Sequence, residues 1–152
     1  MNRKGLLYLY VSQHEGLTQL RQKVFYLRKF IKPLQASSVY KRHHSEDPKD
    51  RIEVVLEADI PEQDLDNLYY ELKSQQTTLL ALEGEMRVDP ERALPHPLLA
   101  LDFFVLKMAA ECSPYWEHGV KHETLQALSN KNLTNDSVEF LTQGKALIKV
   151  LA

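Results

Sequence analysis

At 152 residues, with 43% hydrophobic and 26% charged side chains, the chain has the size and balance of one globular domain, expected to span residues 1–152. A single cysteine, Cys112, excludes an internal disulfide framework and favours a reducing compartment. The net charge of −2 names no partner, but it is unevenly spread: residues 1–51 carry 11 Lys/Arg against 4 Asp/Glu, and residues 52–152 carry 8 against 17.

After Met1-Asn2-Arg3-Lys4, the run Gly5–Val11 reads as a buried strand rich in Leu and Tyr. It is too short for a signal-peptide core and far too short to span a membrane, so a soluble, cytoplasmic protein is expected. Leu17, Leu20, Val24, Leu27 and Ile31 form one apolar stripe at helical spacing, closed by Pro33. Ala36–Arg42 reads as a second strand, His43–Asp50 as a polar loop, and Arg51–Ala58 as a third strand. Asp59 and Pro61 signal a helix start, with Leu65, Leu68, Tyr69 and Leu72 as its apolar face. A fourth strand falls within Leu79–Val88.

This order, strand-helix-strand-strand-helix-strand, predicts a ferredoxin-like α+β fold, a four-stranded antiparallel sheet with helices on one face. Leu98 to Ala109 then reads as one buried helix ending near Pro114, followed by a short helix over His122–Ser129. Val138–Thr142 and Ala146–Leu151, separated by Gln143-Gly144, have the pattern of a hairpin.

Chemistry is sparse. No HExxH, CxxC, GxSxG, P-loop or GxGxxG occurs, so no metal site and no confident catalytic residue is assigned. Cys112 lies in an apolar helical pattern, the setting of an inert packing thiol. Arg21, Arg28, Lys29, Lys41 and Arg42 form a candidate basic face for phosphates, RNA or an acidic partner. The plain reading is a solvated helix face beside a basic loop. Nucleic acid is not favoured, because no aromatic RNA-binding strand motif is present.

Three collinear stretches resemble the 6-hydroxymethyl-7,8-dihydropterin pyrophosphokinases of folate biosynthesis. They are Ala36-Ser37-Ser38-Val39-Tyr40-Lys41, then Val54-Val55-Leu56-Glu57-Ala58-Asp59-Ile60-Pro61-Glu62, then Leu94-Pro95-His96-Pro97 followed by Phe104-Val105-Leu106 and Glu111-Cys112-Ser113-Pro114. The resemblance implies the same α+β fold and an ancestral activity, transfer of diphosphate from ATP to a pterin alcohol with magnesium. It also implies three pocket remnants: His96 near the ATP site, Phe104 as the aromatic that packs on the pterin, and Glu71 on the second helix.

The departures are specific. Leu80 and Leu82, in Thr77-Thr78-Leu79-Leu80-Ala81-Leu82, stand where the family holds magnesium with two aspartates on alternate strand residues. A rival alignment uses Leu99-Ala100-Leu101-Asp102 and recovers Asp102 alone. Arg51 falls near the family's pterin-binding Asn, and the arginine-rich loop is missing. The leading expectation is a degenerate, non-catalytic descendant that binds a protein or a small-molecule ligand, with no confident cofactor. The alternative is a divergent, active diphosphokinase that uses ATP and magnesium on other carboxylates, Asp102, Asp89, Glu83 or Glu85.

Overall fold

The computed structural model describes residues 2–46, 49–61, 64–133 and 137–148. Strand β1, Arg3–Ser12, is the hub of the sheet. It pairs antiparallel with β4, Asp50–Ile60, on one side and with β5, Thr77–Leu82, on the other. Strand β4 is long enough to pair with two short strands in succession, β2, Lys32–Ala36, and β3, Val39–His43. Strand β6, Val138–Thr142, adds outside β3, giving the order β5-β1-β4-β3-β6 with β2 also on β4. The ferredoxin-like α+β plan therefore stands, widened from four strands to six.

Both faces of the centre are buried. That is why β1 reads as a nearly continuous apolar run and β4 carries the unbroken Val54-Val55-Leu56 rather than strict alternation. Leu7, Leu9, Val11, Val54 and Leu56 face α1, Gly16–Leu27, and α2, Leu65–Ser74. Leu6, Tyr8, Val55 and Leu80 join Phe104, Val105, Met108 and Leu125 of a second core. Its helices are the short α3, Leu98–Leu101, α4, Phe103–Cys112, and α5, Leu125–Lys131.

Several boundaries differ from the sequence reading. Helix α1 ends at Leu27, and Pro33 lies in β2, opposite Ala58, where an edge strand tolerates a residue without an amide proton. Strand β4 runs on to Ile60, so α2 starts only at Leu65, after Asp64, whose carboxylate accepts from the Asp66 amide at 3.0 Å. The helix expected from Leu98 onward is two helices, because Asp102 breaks the first and caps the second. The C-terminal hairpin is not formed by the described residues: β6 pairs with β3, and α6, Lys145–Ile148, follows it. Residues 149–151 of that expected second strand lie outside the described residues.

The Ser37-Ser38 step between β2 and β3 is also accounted for. Ser37 is fully buried; its amide donates to the Val55 carbonyl at 2.8 Å and its hydroxyl accepts from the Val55 amide at 3.0 Å. One small side chain thus keeps the ladder satisfied where the edge changes strand. Gly144 packs directly on this step: a Cβ there would meet the Ser37 carbonyl oxygen at 1.8 Å. Gly144→Ala is expected to cost about 1–3 kcal/mol in denaturant unfolding, as overpacking does. An unchanged midpoint would mean that the C-terminal segment does not seat on this step.

Candidate functional site

The polar centre of the molecule is built on Glu53 of β4, whose side chain is wholly buried between Ile52 and the apolar run Val54-Val55-Leu56. Arg42, on the neighbouring β3, reaches it with Nε to Oε2 and Nη2 to Oε1, both at 2.9 Å. The same guanidinium turns its Nη1 to Asp102 Oδ1 at 2.8 Å and its Nη2 to Oδ2 at 2.9 Å. Asp102 Oδ1 meanwhile accepts from the Phe104 and Val105 amides, both at 3.1 Å, as the cap of α4. Tyr8 donates its hydroxyl to Glu53 in a very short contact, and His44 Nε2 lies 2.9 Å from Glu53 Oε1.

Charge is settled by these partners. Burial alone would raise both carboxyls, but hydrogen bonds from His44 and Arg42 hold Glu53 below the usual carboxylate range, and those from Arg42 do the same for Asp102. Burial also opposes the Arg42 charge, and the hydrogen bonds to Asp102 and Glu53 overcome it. Burial, then the Glu53 charge, pushes the Tyr8 hydroxyl far up, so it stays a donor. The guanidinium lies over the Phe104 ring, 5.0 Å from its centroid, and Tyr40 meets the same ring edge-on at 5.1 Å. Tyr40 in turn donates to Glu111 at 2.7 Å, and burial with that contact pushes its hydroxyl up to about 12. Beside this cluster, a cavity of about 200 Å³ is lined by His44, Arg51 and Asp102 among others. Arg51 stacks on Tyr10 at 4.3 Å, and its buried Nε has no hydrogen-bond partner.

A larger cleft, about 800 Å³, opens between α2 and the start of β5. Tyr10, Tyr69, Tyr70, Lys73, Arg92 and His96 contribute rings and cationic groups to it, and Glu91 is its carboxylate. Arg92 stacks on Tyr69 at 5.0 Å and pairs with Asp66. The His96 amide is tied to the Leu80 carbonyl at 2.7 Å, and its Nδ1 accepts from the Leu98 amide at 3.1 Å. Burial lowers the His96 pKa, which keeps the ring neutral and leaves Nε2 as a donor.

The structure does not gather the sequence-selected residues into one place. His96 lines the large cleft. Phe104 lies in the second core beneath Arg42, and Glu71 accepts from Tyr26 of α1 at 2.9 Å. Of the four alternative carboxylates, Asp102 is engaged by Arg42, and Asp89 accepts from the Glu91 amide in a turn. Glu83 and Glu85 follow β5, with Glu85 held by Arg3 at 2.8 Å. Among the described residues no three His, Cys, Asp or Glu side chains converge on one metal position.

Arg42 does not belong to a basic surface; it is a core residue. Arg21 and Lys29 are exposed on and beside α1, Arg28 donates to the Ile148 carbonyl, and Lys41 lies 3.9 Å from Glu139 of β6. Leu80 and Leu82 do not share a face. The pairing passes from Leu6 with Ala81 to Leu7 with Leu79, so Leu80 is the extra residue of a bulge. Leu80 enters the second core and Leu82 the first. Sequence reasoning missed Glu53, although a lone acid inside Ile52-Glu53-Val54-Val55-Leu56 was a signal that a buried cation must stand beside it.

The chain is similar in structure to HPPK-DHPS of Plasmodium falciparum. Against the wild type with pterin and p-hydroxybenzoate the TM-score is 0.67 at 9% identity, covering 86% of this chain and 42% of that one. Against a triple mutant with pteroate it is 0.70 at 9%, covering 86% and 43%. The wild type with SDX-DHP gives 0.70 at 8%, covering 86% and 44%. The fold is HPPK-like. The chain thus spans less than half the length of these bifunctional proteins, and at this identity the likeness concerns the fold. No protein-family model and no curated protein sequence matches it. Among the described residues no helix is long and apolar enough to cross a membrane.

Proposed function

We propose that this chain is a pterin-pyrophosphokinase-like domain that has given up diphosphate transfer and works by binding. One observation carries the reading: the chain's own Arg42 guanidinium covers the Phe104 ring, held there by Glu53 and Asp102. In the resemblance drawn from the sequence, Phe104 matches the aromatic on which a pterin packs. A planar, charged group of the chain itself takes that face here. The donor set does not fit a magnesium pair either, because both Asp102 oxygens serve the guanidinium and β5 carries no carboxylate, with leucines at 80 and 82.

The cleft at His96 is the part of the old pocket that stays open. Lys73 and Arg92 supply positive charge, Tyr69 and Tyr70 supply ring faces, and His96 supplies one donor. That set suits a compact anion carrying an aromatic ring, a nucleotide being the simplest case, bound without magnesium. A cytoplasmic setting fits the single cysteine, buried and with its thiol pushed up to about 11 by burial.

Calorimetry with a non-hydrolysable ATP analogue, with and without magnesium, tests this, followed by an assay with hydroxymethyl-dihydropterin and ATP. The expected result is binding that is indifferent to magnesium, weakened about tenfold by Lys73→Ala, and no turnover. Magnesium-dependent binding with diphosphate transfer would restore the enzymatic reading.

A further inference from the structure

A second cavity, about 460 Å³, lies between the turn after β5 and the segment after α4. Its walls include Trp116, Tyr115 and Met86, and its acidic groups are Glu83, Glu85 and Glu117. No lysine or arginine is among the described residues that line it. Arg3 at 2.8 Å and Arg87 at 3.5 Å compensate Glu85 from outside. Glu117 pairs at 3.8 Å with His122, a group charged only when protonated, and Glu83 is exposed.

The backbone that carries Trp116 is held by hydrogen bonds, and its side chain packs against the second core. The Trp116 amide donates to Ser113 at 3.1 Å, its carbonyl accepts from Leu125 at 2.8 Å, and Glu117 bridges to Thr124. Two apolar residues that line the cavity also reach solvent, and two more lie close to its lining in the chain. Tyr115 is 84% exposed, and Met86, Val88 and Val120 are exposed as well. An indole in the same cavity as Glu83 and Glu117, neither of which pairs with a lysine or arginine among the described residues, favours a cation with an apolar stem, since a ring face attracts positive charge and the walls cover methylenes. Tyr115 and Met86 both line the cavity and reach solvent, so apolar contact is offered outside as well as inside, which favours an occupant longer than a small amine.

We propose that this cavity receives a lysine side chain from a basic, partly apolar segment of a partner protein, with the ammonium toward Glu83 and Glu117 and the stem along Trp116. The site is separate from the His96 cleft and stands whether or not that cleft binds a nucleotide.

Trp116 is the only tryptophan in the chain, so its fluorescence reports on this cavity. The probes are a blocked pentapeptide with one lysine between two leucines, the same peptide with norleucine for lysine, and n-butylammonium. The lysine peptide should give a saturable change, and the norleucine peptide should bind at least about tenfold more weakly. Glu83→Gln with Glu117→Gln, both exposed, should keep the far-ultraviolet circular dichroism and reduce lysine-peptide affinity about fivefold or more. No saturation with the lysine peptide, or equal binding of the norleucine peptide, overturns the proposal. Butylammonium binding as tightly as the lysine peptide also overturns it, in favour of a free amine.

Discussion

Arg42→Ala should lose about 3–5 kcal/mol of stability in urea unfolding, the range for removing one partner of a buried ion pair. The change removes four hydrogen bonds to two carboxylates, leaving Glu53 fully buried and Asp102 largely so. It also uncovers the Phe104 face. The pH dependence separates this cause from simple loss of packing. In the native protein Glu53 and Asp102 titrate below their ordinary values, so the stability they contribute is complete above the unfolded pKa of about 4. It is lost as pH falls through the depressed native values. Without Arg42 the buried carboxylates favour their protonated form, which reverses the sign. The gap between native protein and variant should therefore narrow as pH falls from 7 toward 3. A loss under 1 kcal/mol at pH 7, or a gap independent of pH, would sink the buried-clamp reading. Arg42→Met combined with Glu53→Gln and Asp102→Asn should recover part of the loss, because no uncompensated charge remains.

The same cluster explains what the sequence did and did not disclose. Apolar runs at Gly5–Val11 and Arg51–Ala58, and the stripe Leu20-Val24-Leu27, led directly to β1, β4 and α1, because burial on both sheet faces and on one helix face leaves different spacings. The collinear stretches around Ser37, Glu57 and His96 led to the HPPK-like fold that the structural comparison supports. The site was harder to read because its members come from β1, β3, β4 and α4. Arg42 and Asp102 are 60 positions apart in the chain, and no local pattern joins them. Arg42 ends the expected strand Ala36–Arg42, and its neighbours Lys41, His43 and His44 suggest an exposed basic face; in the structure it turns inward to Glu53 and Asp102. Asp102 looked like a displaced metal ligand, yet its first task is local. A carboxylate before Phe103-Phe104-Val105 caps a helix, and the cap fixes the carboxylate where Arg42 can reach both oxygens.

The bulge at Leu80 could not be read from alternation, and it carries the second large effect. On a regular strand, residues 80 and 82 would share a face, and an acidic pair there would either line a site or be tolerated together. The register shift opposite Leu6 and Leu7 sends Leu80 into the core of α4 and α5 and Leu82 into the core of α1 and α2. Leu80 is 0% exposed and Leu82 is 4% exposed. Leu80→Asp should therefore cost more than about 4 kcal/mol, from lost apolar burial plus a carboxylate with no cation beside it. Leu80→Asp with Leu82→Asp should damage both cores at once and leave no cooperative thermal transition. Leu80→Met, similar in volume, should stay within about 1.5 kcal/mol of the native protein and serves as the control for the position itself. A double aspartate variant that melts cooperatively within a few degrees of the native protein would mean the two side chains reach solvent together. If that variant also gained magnesium-dependent transfer to hydroxymethyl-dihydropterin, the strand would be a site two substitutions away from working. The bulge argues the reverse: restoring the carboxylates without restoring the register puts one charge into each core.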